Sequence, residues 1–66
     1  MSEKTYRIIE LVGTSTDSVE DAITNGIASA ANDGIDLDWF EVVQIRGHVA
    51  DQKVAHYQVH LKVGHR

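Results

Sequence analysis

The stretch KVAHYQVHLKV, residues 53–63, decides the fold. From Ala55 onward, apolar residues take every second position and alternate with polar ones. Successive side chains of a β-strand point to opposite faces of a sheet, so this pattern predicts a strand with one buried face. The predicted core set is Ala55, Tyr57, Val59, Leu61 and Val63. The predicted outward set is His56, Gln58, His60 and Lys62.

A second strand is predicted just before it, at LDWFEVVQIRG, residues 37–47. Gly47 and the polar run HVADQK are expected to connect the two strands as a long antiparallel hairpin. Alternation makes Phe40 and Val42 a core pair. The opposite face of this strand then carries Trp39, Glu41, Val43 and Ile45.

The first half of the chain predicts a strand and then a helix. KTYRIIELV, residues 4–12, is rich in β-branched and aromatic residues, and GTSTDS, residues 13–18, breaks its pattern. From there the apolar positions have helical spacing: Val19, Ala22, Ile23, Ile27, Ala30 and Ala31.

The helix ends are also marked in the sequence. Residues 15–18 offer several N-caps, and Asp17 with Glu20 has capping-box spacing. NDG, residues 32–34, places a glycine just past the helix. Gly26 is unfavourable inside a helix, and a close approach to a strand would explain it. The order is β-α-β-β, an α+β fold with one helix on one face of a three-stranded antiparallel sheet.

Length and composition predict a protein that needs a partner. The 66 residues form a single domain, and a core of this size is marginal. There are no cysteines, which excludes disulfides and thiolate metal sites. Self-association or a bound ligand remains as the means of stabilising so small a fold.

Charge and hydropathy exclude two classes of partner. The net charge of −4 provides no basic surface for nucleic acid. No apolar run approaches the ~20 residues of a membrane span. The polar start MSEKTYR carries no signal-peptide hydrophobic region, so we expect a cytoplasmic protein.

The outward face of the hairpin is the candidate functional surface. Trp39 is the only tryptophan and is expected to share this face with Gln58. Val43 and Ile45 would add an apolar patch that should not stay in water, so another subunit or a ligand is expected to cover it.

Four motifs together resemble one family. VGTS (12–15) before an acidic helix start, LDWFEV (37–42), IRG (45–47) and YQV…KVGHR (57–66) resemble the dodecins, small flavin-binding proteins of bacteria and archaea, particularly those of actinobacteria. The resemblance implies a β-α-β-β subunit whose sheet wraps partly around its helix. It also implies a hollow homododecamer that holds flavins in pairs between tryptophans of two subunits.

The resemblance also implies which residues bind. Trp39 would stack on the isoalloxazine ring, and Gln58 would bond its pyrimidine edge. Arg46 and Arg66 would reach phosphate, with Lys4 as a further candidate. FMN is the expected cofactor, with riboflavin or FAD as alternatives. Some relatives also bind coenzyme A, but NDGID, residues 32–36, stands where the family often has a basic residue, which weakens that expectation.

Each of these residues also has a simpler interpretation. Trp39 could be an interface anchor, and Gln58 a solvated strand residue. Arg46 could form an ion pair with Glu41 or a neighbouring subunit. Arg66 lies at the C-terminus, where residues are often disordered.

No catalytic or metal residues are predicted. His56 and His60 share a strand face but lie about 13 Å apart, too far to hold one ion unless another subunit contributes. The helix start at GTSTDS could bind phosphate, but its acidic first turn favours capping.

The expected function is therefore flavin storage, buffering and photoprotective quenching without turnover. Two alternatives remain open: a flavin-dependent oxidoreductase that uses the same pocket, and a purely structural oligomeric shell.

Overall fold

The computed structural model describes residues 5–66, which form one α+β unit. Its elements are β1 (Arg7–Ser15), α1 (Val19–Asn32), β2 (Leu37–Ala50) and β3 (Lys53–His65). The sheet has the order β1-β3-β2, and both pairings are antiparallel. This is the predicted β-α-β-β fold. Lys4 lies outside the described residues, and no helix within them has the length and hydrophobicity to cross a membrane.

The core lies between α1 and the strands β1 and β3. Its fully buried hydrophobic side chains are Ala22, Ala30, Val59, Leu61 and Val63. The alternation of β3 therefore predicts the core correctly at three positions. Ala55 and Tyr57 are only half-buried. The reason is that β1 ends at Ser15, opposite Tyr57, so the hairpin beyond that point has no third strand beside it.

Two glycines bring α1 against β1. A Cβ atom on Gly13 would overlap the carbonyl oxygen of Ala22 and lie 3.1 Å from the amide nitrogen of Gly26. A Cβ atom on Gly26 would lie 3.3 Å from the Cα atom of Gly13. The close approach inferred from a glycine inside the helix is confirmed.

The N-cap of the helix is one residue later than Asp17, the N-cap of the predicted capping box. Ser18 is the N-cap, and its Oγ accepts a hydrogen bond from the amide of Asp21 at 2.9 Å. The pairing of Asp17 with Glu20 is wrong because the Ser15 hydroxyl accepts the Asp17 N–H at 2.9 Å and holds that residue in the preceding turn. The same hydroxyl donates to Asp21 Oδ2 at 2.7 Å.

The helix ends where the sequence predicts. Asn32 is its last residue, and Asp33 is the C-cap. Gly34 follows with φ of +83°, a left-handed conformation that glycine adopts without steric cost.

The strands run further than the sequence indicates. GTS continues β1 to Ser15, and β2 passes through Gly47 to Ala50. The connection predicted at residues 47–53 is a two-residue turn of Asp51 and Gln52, with φ of 54° and 64°. Left-handed residues at both turn positions match the twist of a hairpin. Neither is glycine, so the usual sequence signal of this turn is missing.

Bulges in the hairpin change which side chains face the helix. Val43 is an extra residue between Val42, opposite Leu61, and Gln44, opposite His60. As a result Ile45 pairs with Val59 on the helix side of the sheet. The prediction that Ile45 shares a face with Trp39 is wrong, because the bulge reverses the alternation.

Phe40 and Val42 face the helix side as predicted, opposite Val63 and Leu61. They are nevertheless 48% and 38% exposed, so they do not form a core pair within this subunit. The reason is that α1 lies mainly over β1 and β3 and scarcely contacts β2.

The subunit is elongated, with an uncovered edge strand. Its dimensions are 57 × 21 × 14 Å and its radius of gyration is 13.9 Å. A compact domain of this length would have a radius of gyration of about 11 Å. The large hydrophobic side chains exposed on β2 are Trp39, Phe40, Val42, Val43, Ile45 and Val49.

Candidate ligand-binding face

The sheet face turned away from α1, called the outer face below, carries the predicted binding residues. Cross-strand partners share a face, and along this one Trp39 lies opposite Gly64 and Arg46 opposite Gln58. The sheet therefore places Trp39 and Gln58 on the same face. On the same face of β3, His60 and Lys62 lie between Gln58 and Gly64. His56 lies on the other side of Gln58.

The Trp39 ring lies directly over Gly64 of β3. A Cβ atom added to Gly64 would overlap the indole, so only glycine leaves room for the ring at that position. Tyr6 meets the ring edge-on, with the centroids 6.0 Å apart and the planes at 65°. The residue remains 39% exposed. This arrangement supports one side of the indole and leaves part of it open to a partner.

Arg66 is fixed beside this tryptophan by an ion pair. Its Nε donates to Asp38 Oδ2 at 2.9 Å, and one Nη donates to Asp38 Oδ1 at 3.0 Å. This hydrogen-bonded carboxylate raises the pKa of Arg66 above its usual value. Asp38 is itself a bulge residue between Leu37 and Trp39. A guanidinium has five N–H donors, so the pair leaves donors of Arg66 for an anion.

A second polar group surrounds Gln58. Its Nε2 lies 3.3 Å from Nε2 of His56. The His56 ring stacks on that of His48 from β2, with the centroids 5.3 Å apart and the planes at 19°. Arg46 lies directly opposite Gln58. A cavity of about 330 Å³ adjoins the group, lined by Thr14, Ser15, Thr16 and His56.

One subunit does not bring Trp39 and Gln58 together. Trp39 pairs with Gly64, six residues along β3 from Gln58. At about 3.4 Å per residue this separation is about 20 Å, too far for one isoalloxazine ring system to contact both. The outer face thus has two groups, Trp39 with Arg66 and Gln58 with Arg46. A flavin ring that contacts both Trp39 and Gln58 would therefore take them from two chains.

Several members of these groups were missed by sequence reasoning. Asp38 and Tyr6 depend on contacts between distant parts of the chain and leave no local signal. The His48–His56 pair could be found only from the exact hairpin register, which three irregularities obscure. His60, in contrast, bonds Glu10 across the sheet at 2.8 Å.

An apolar groove lies on the other side of the sheet, between α1 and β2. Its volume is about 440 Å³, and Phe40 forms its β2 wall. The helix contributes Glu20, Ile23, Thr24, Ile27 and Ala28. Among the predicted binding residues that the structure describes, none lines this groove.

Comparison with known proteins finds one family. The family model described as dodecin matches residues 5–66. A curated dodecin of Thermus thermophilus is 48% identical over 63 residues, which cover 96% of this chain and 91% of that protein. The dodecin structure from Streptomyces coelicolor superposes with a TM-score of 0.93 at 52% identity and covers 100% of this chain and 94% of that one. For Streptomyces davaonensis dodecin the TM-score is 0.92 at 51% identity, covering 98% and 96%.

Proposed function

This chain belongs to the dodecin family, and on that premise we propose that it binds flavin for storage, buffering and photoprotective quenching, without catalytic turnover. FMN is the proposed cofactor, with riboflavin and FAD as the other candidates. The single observation that carries the proposal is the Trp39 indole, which lies over Gly64 and remains partly open.

The open indole suits a flat aromatic ligand. Offset stacking of aromatic rings contributes about 0.5–1.5 kcal/mol beyond the burial of area. Support from Gly64 on one side and Tyr6 at the edge restricts the motion of the ring before any ligand arrives. Less conformational entropy is then lost on binding.

Two chains are needed to complete the proposed site. Trp39 and Gln58 are about 20 Å apart along the sheet, so a flavin that uses both takes them from different subunits. Association of subunits would bury the exposed hydrophobic residues of β2 and the apolar groove beside Phe40, and this burial favours an oligomer. A homododecamer is the assembly that we propose.

Arg46 and Arg66 are the proposed phosphate ligands. A guanidinium matches phosphate with two parallel hydrogen bonds. Arg66 is held next to Trp39 by Asp38, and Arg46 is held opposite Gln58. Each half of the proposed site therefore has one arginine beside it, Arg66 next to Trp39 and Arg46 opposite Gln58.

The proposed quenching requires only close stacking. A bound flavin supplies the light-absorbing, electron-accepting ring. Trp39 supplies an electron-rich indole against it, and the paired subunits exclude water from the stack. Excitation is then lost within the complex instead of driving photochemistry on other molecules.

Titration of FMN with the protein tests this function. We expect flavin emission to fall as protein is added, and Trp39→Ala to abolish most of that loss. Lys53→Ala, at the far end of the hairpin, is the control and should quench like the unmodified protein. Unchanged emission at saturating protein, or equal quenching by Trp39→Ala, contradicts the proposal.

The two alternatives give different observations. A flavin-dependent oxidoreductase would show steady oxidation of NADH or NADPH that depends on the protein. A structural shell would purify without colour and take up no flavin. We expect a yellow oligomer without steady oxidation.

A further inference from the structure

We propose that His56 is a positioning residue of the binding site, one that fixes the orientation of the Gln58 side-chain amide toward the ligand. The inference rests on the flavin site proposed above and adds a residue to it. It starts from one contact, the 3.3 Å between Nε2 of Gln58 and Nε2 of His56.

The chemistry of this contact assigns the protons. Two nitrogen atoms form a hydrogen bond only if one donates and the other accepts. An amide nitrogen donates and does not accept, whereas an imidazole nitrogen accepts when it carries no proton. With the amide in this orientation, Nε2 of His56 is the acceptor, which requires the ring to carry its proton on Nδ1.

That arrangement leaves the rest of the Gln58 amide matched to a flavin. The amide has one carbonyl oxygen and two N–H groups. One N–H is used by His56, so the oxygen and the other N–H remain. The pyrimidine edge of an isoalloxazine presents an N–H between two carbonyls. The Gln58 oxygen can accept from that N–H while its free N–H donates to a neighbouring carbonyl.

The groups around His56 come from all three strands. From β2, His48 stacks on its ring and Arg46 lies two pairs further along, opposite Gln58. From β1, the cavity wall consists of neutral hydroxyl residues: Thr14, Ser15 and Thr16. On β3 itself the next histidine is His60, which is bonded to Glu10.

Protonation of His56 would reverse the match. Nε2–H would then face the Gln58 N–H, two donors against each other. The amide would have to turn over, offering its oxygen to His56 and only N–H groups to the flavin N–H. We therefore expect affinity for the flavin ring to fall when His56 gains a proton.

Riboflavin is the probe of choice for the test. A phosphate monoester has its second pKa near about 6, so FMN would add a titration of its own. Riboflavin has the same ring system without that group. Binding is measured by fluorescence quenching at about pH 8 and about pH 5.5, on either side of the histidine range. The native mass is recorded at both, so that a change in assembly is not mistaken for a change in affinity.

Three variants separate positioning from packing. His56→Gln supplies an acceptor that does not titrate, and His56→Leu supplies none. His60→Gln removes a histidine of the same face whose hydrogen bond goes to Glu10, and it serves as the matched control.

The expected results follow from the loss of one hydrogen bond. At about pH 8, His56→Gln should bind riboflavin like the unmodified protein, and His56→Leu about tenfold more weakly. At about pH 5.5 the unmodified protein and His60→Gln should both weaken about tenfold, while His56→Gln should keep its affinity.

Two failures are distinguishable. If riboflavin binds but His56→Gln follows the same pH profile as the unmodified protein, His56 does not position Gln58 and the proposed function stands. If neither riboflavin nor FMN is quenched at any pH, the proposed function fails and the positioning role fails with it.

Discussion

Gly64 determines where the Trp39 ring can lie. In an antiparallel pair, directly opposite side chains compete for the same space above the sheet. Because Gly64 has no side chain, the indole can lie over the β3 backbone instead of standing away from it. The position of the ring thus depends as much on its cross-strand partner as on the tryptophan itself.

We expect Gly64→Ala to displace the indole, because the added methyl group would overlap it. Forcing an extra group into a packed contact costs about 1–3 kcal/mol of stability. Thermal unfolding should show that cost, and FMN titration should show weaker quenching. In Trp39→Ala/Gly64→Ala the overlap is absent, so part of the stability should return. Full quenching by Gly64→Ala would contradict the proposed stacking geometry.

For a single residue, the sequence predicts which face of the sheet its side chain occupies better than it predicts which other residue that side chain contacts. Alternation placed Trp39 and Gln58 on one face because no irregularity disturbs β3 between Gly64 and Gln58. It failed for Ile45, since the bulge at Val43 adds a residue that no local pattern marks. That Asp38 binds Arg66 depends on two residues far apart in the chain, and alternation says nothing about such pairs.

Of the three strands, β1 makes the most contact with α1. Gly13 meets rigid backbone of the helix, the carbonyl of Ala22, whereas a methyl group on Gly26 would meet chiefly the Cδ1 atom of Leu11 at 2.8 Å. Backbone cannot move aside without shifting the whole element. The end of a leucine side chain can change rotamer. The two glycines therefore differ in what a methyl group would cost.

We expect Gly13→Ala to destabilise the subunit severely, by more than about 3 kcal/mol, because the overlap forces helix and strand apart. Gly26→Ala should cost much less, since alanine regains about 1 kcal/mol of helix propensity. Thermal unfolding of the two variants measures the difference. Equal loss in both would show that the Ala22 carbonyl does not set the distance between the elements.

The elements were predicted in type and order, but their ends were less certain. The helix C-terminus followed from a glycine that takes a left-handed conformation. The end of β2 did not, because Asp51 and Gln52 adopt left-handed angles without the Asn-Gly or Asp-Gly sequence that normally marks them. Gly47 looked like a loop residue, yet it pairs with Tyr57 inside the hairpin.

For the molecule as a whole, β2 is the exposed element. It is an edge strand of 14 residues, and every residue of it except Leu37 is exposed. Long hydrophobic edges are sites at which further chains associate. Such an edge on an elongated subunit supports self-association and explains how so small a core can suffice.

We expect Ile45→Lys to prevent the proposed assembly, in which another chain would cover Ile45, now 55% exposed, and a lysine ammonium would have to be buried there. Native mass should fall from that of an oligomer to that of a single chain. Asn32→Lys adds the same charge at the exposed end of the helix and is the control. An unchanged native mass for Ile45→Lys would place the subunit contacts elsewhere.

The separation of the two binding groups is a property of the whole sheet that the sequence could not reveal. A shared face suggested that Trp39 and Gln58 act together. Only the register shows that the partner of Trp39 is six positions along β3 from Gln58. At that distance, the proposed flavin site needs residues from a second chain.

The single indole also makes the intrinsic tryptophan fluorescence of the protein specific to one position. Trp39 is the only tryptophan, so all tryptophan emission comes from the ring that lies on Gly64. No label or engineered reporter is needed to follow that position. Its wavelength and intensity should respond to whatever covers the open side of the ring, and its anisotropy to the size of the particle that carries it. Ligand uptake and assembly can therefore be timed in one sample of the unmodified protein.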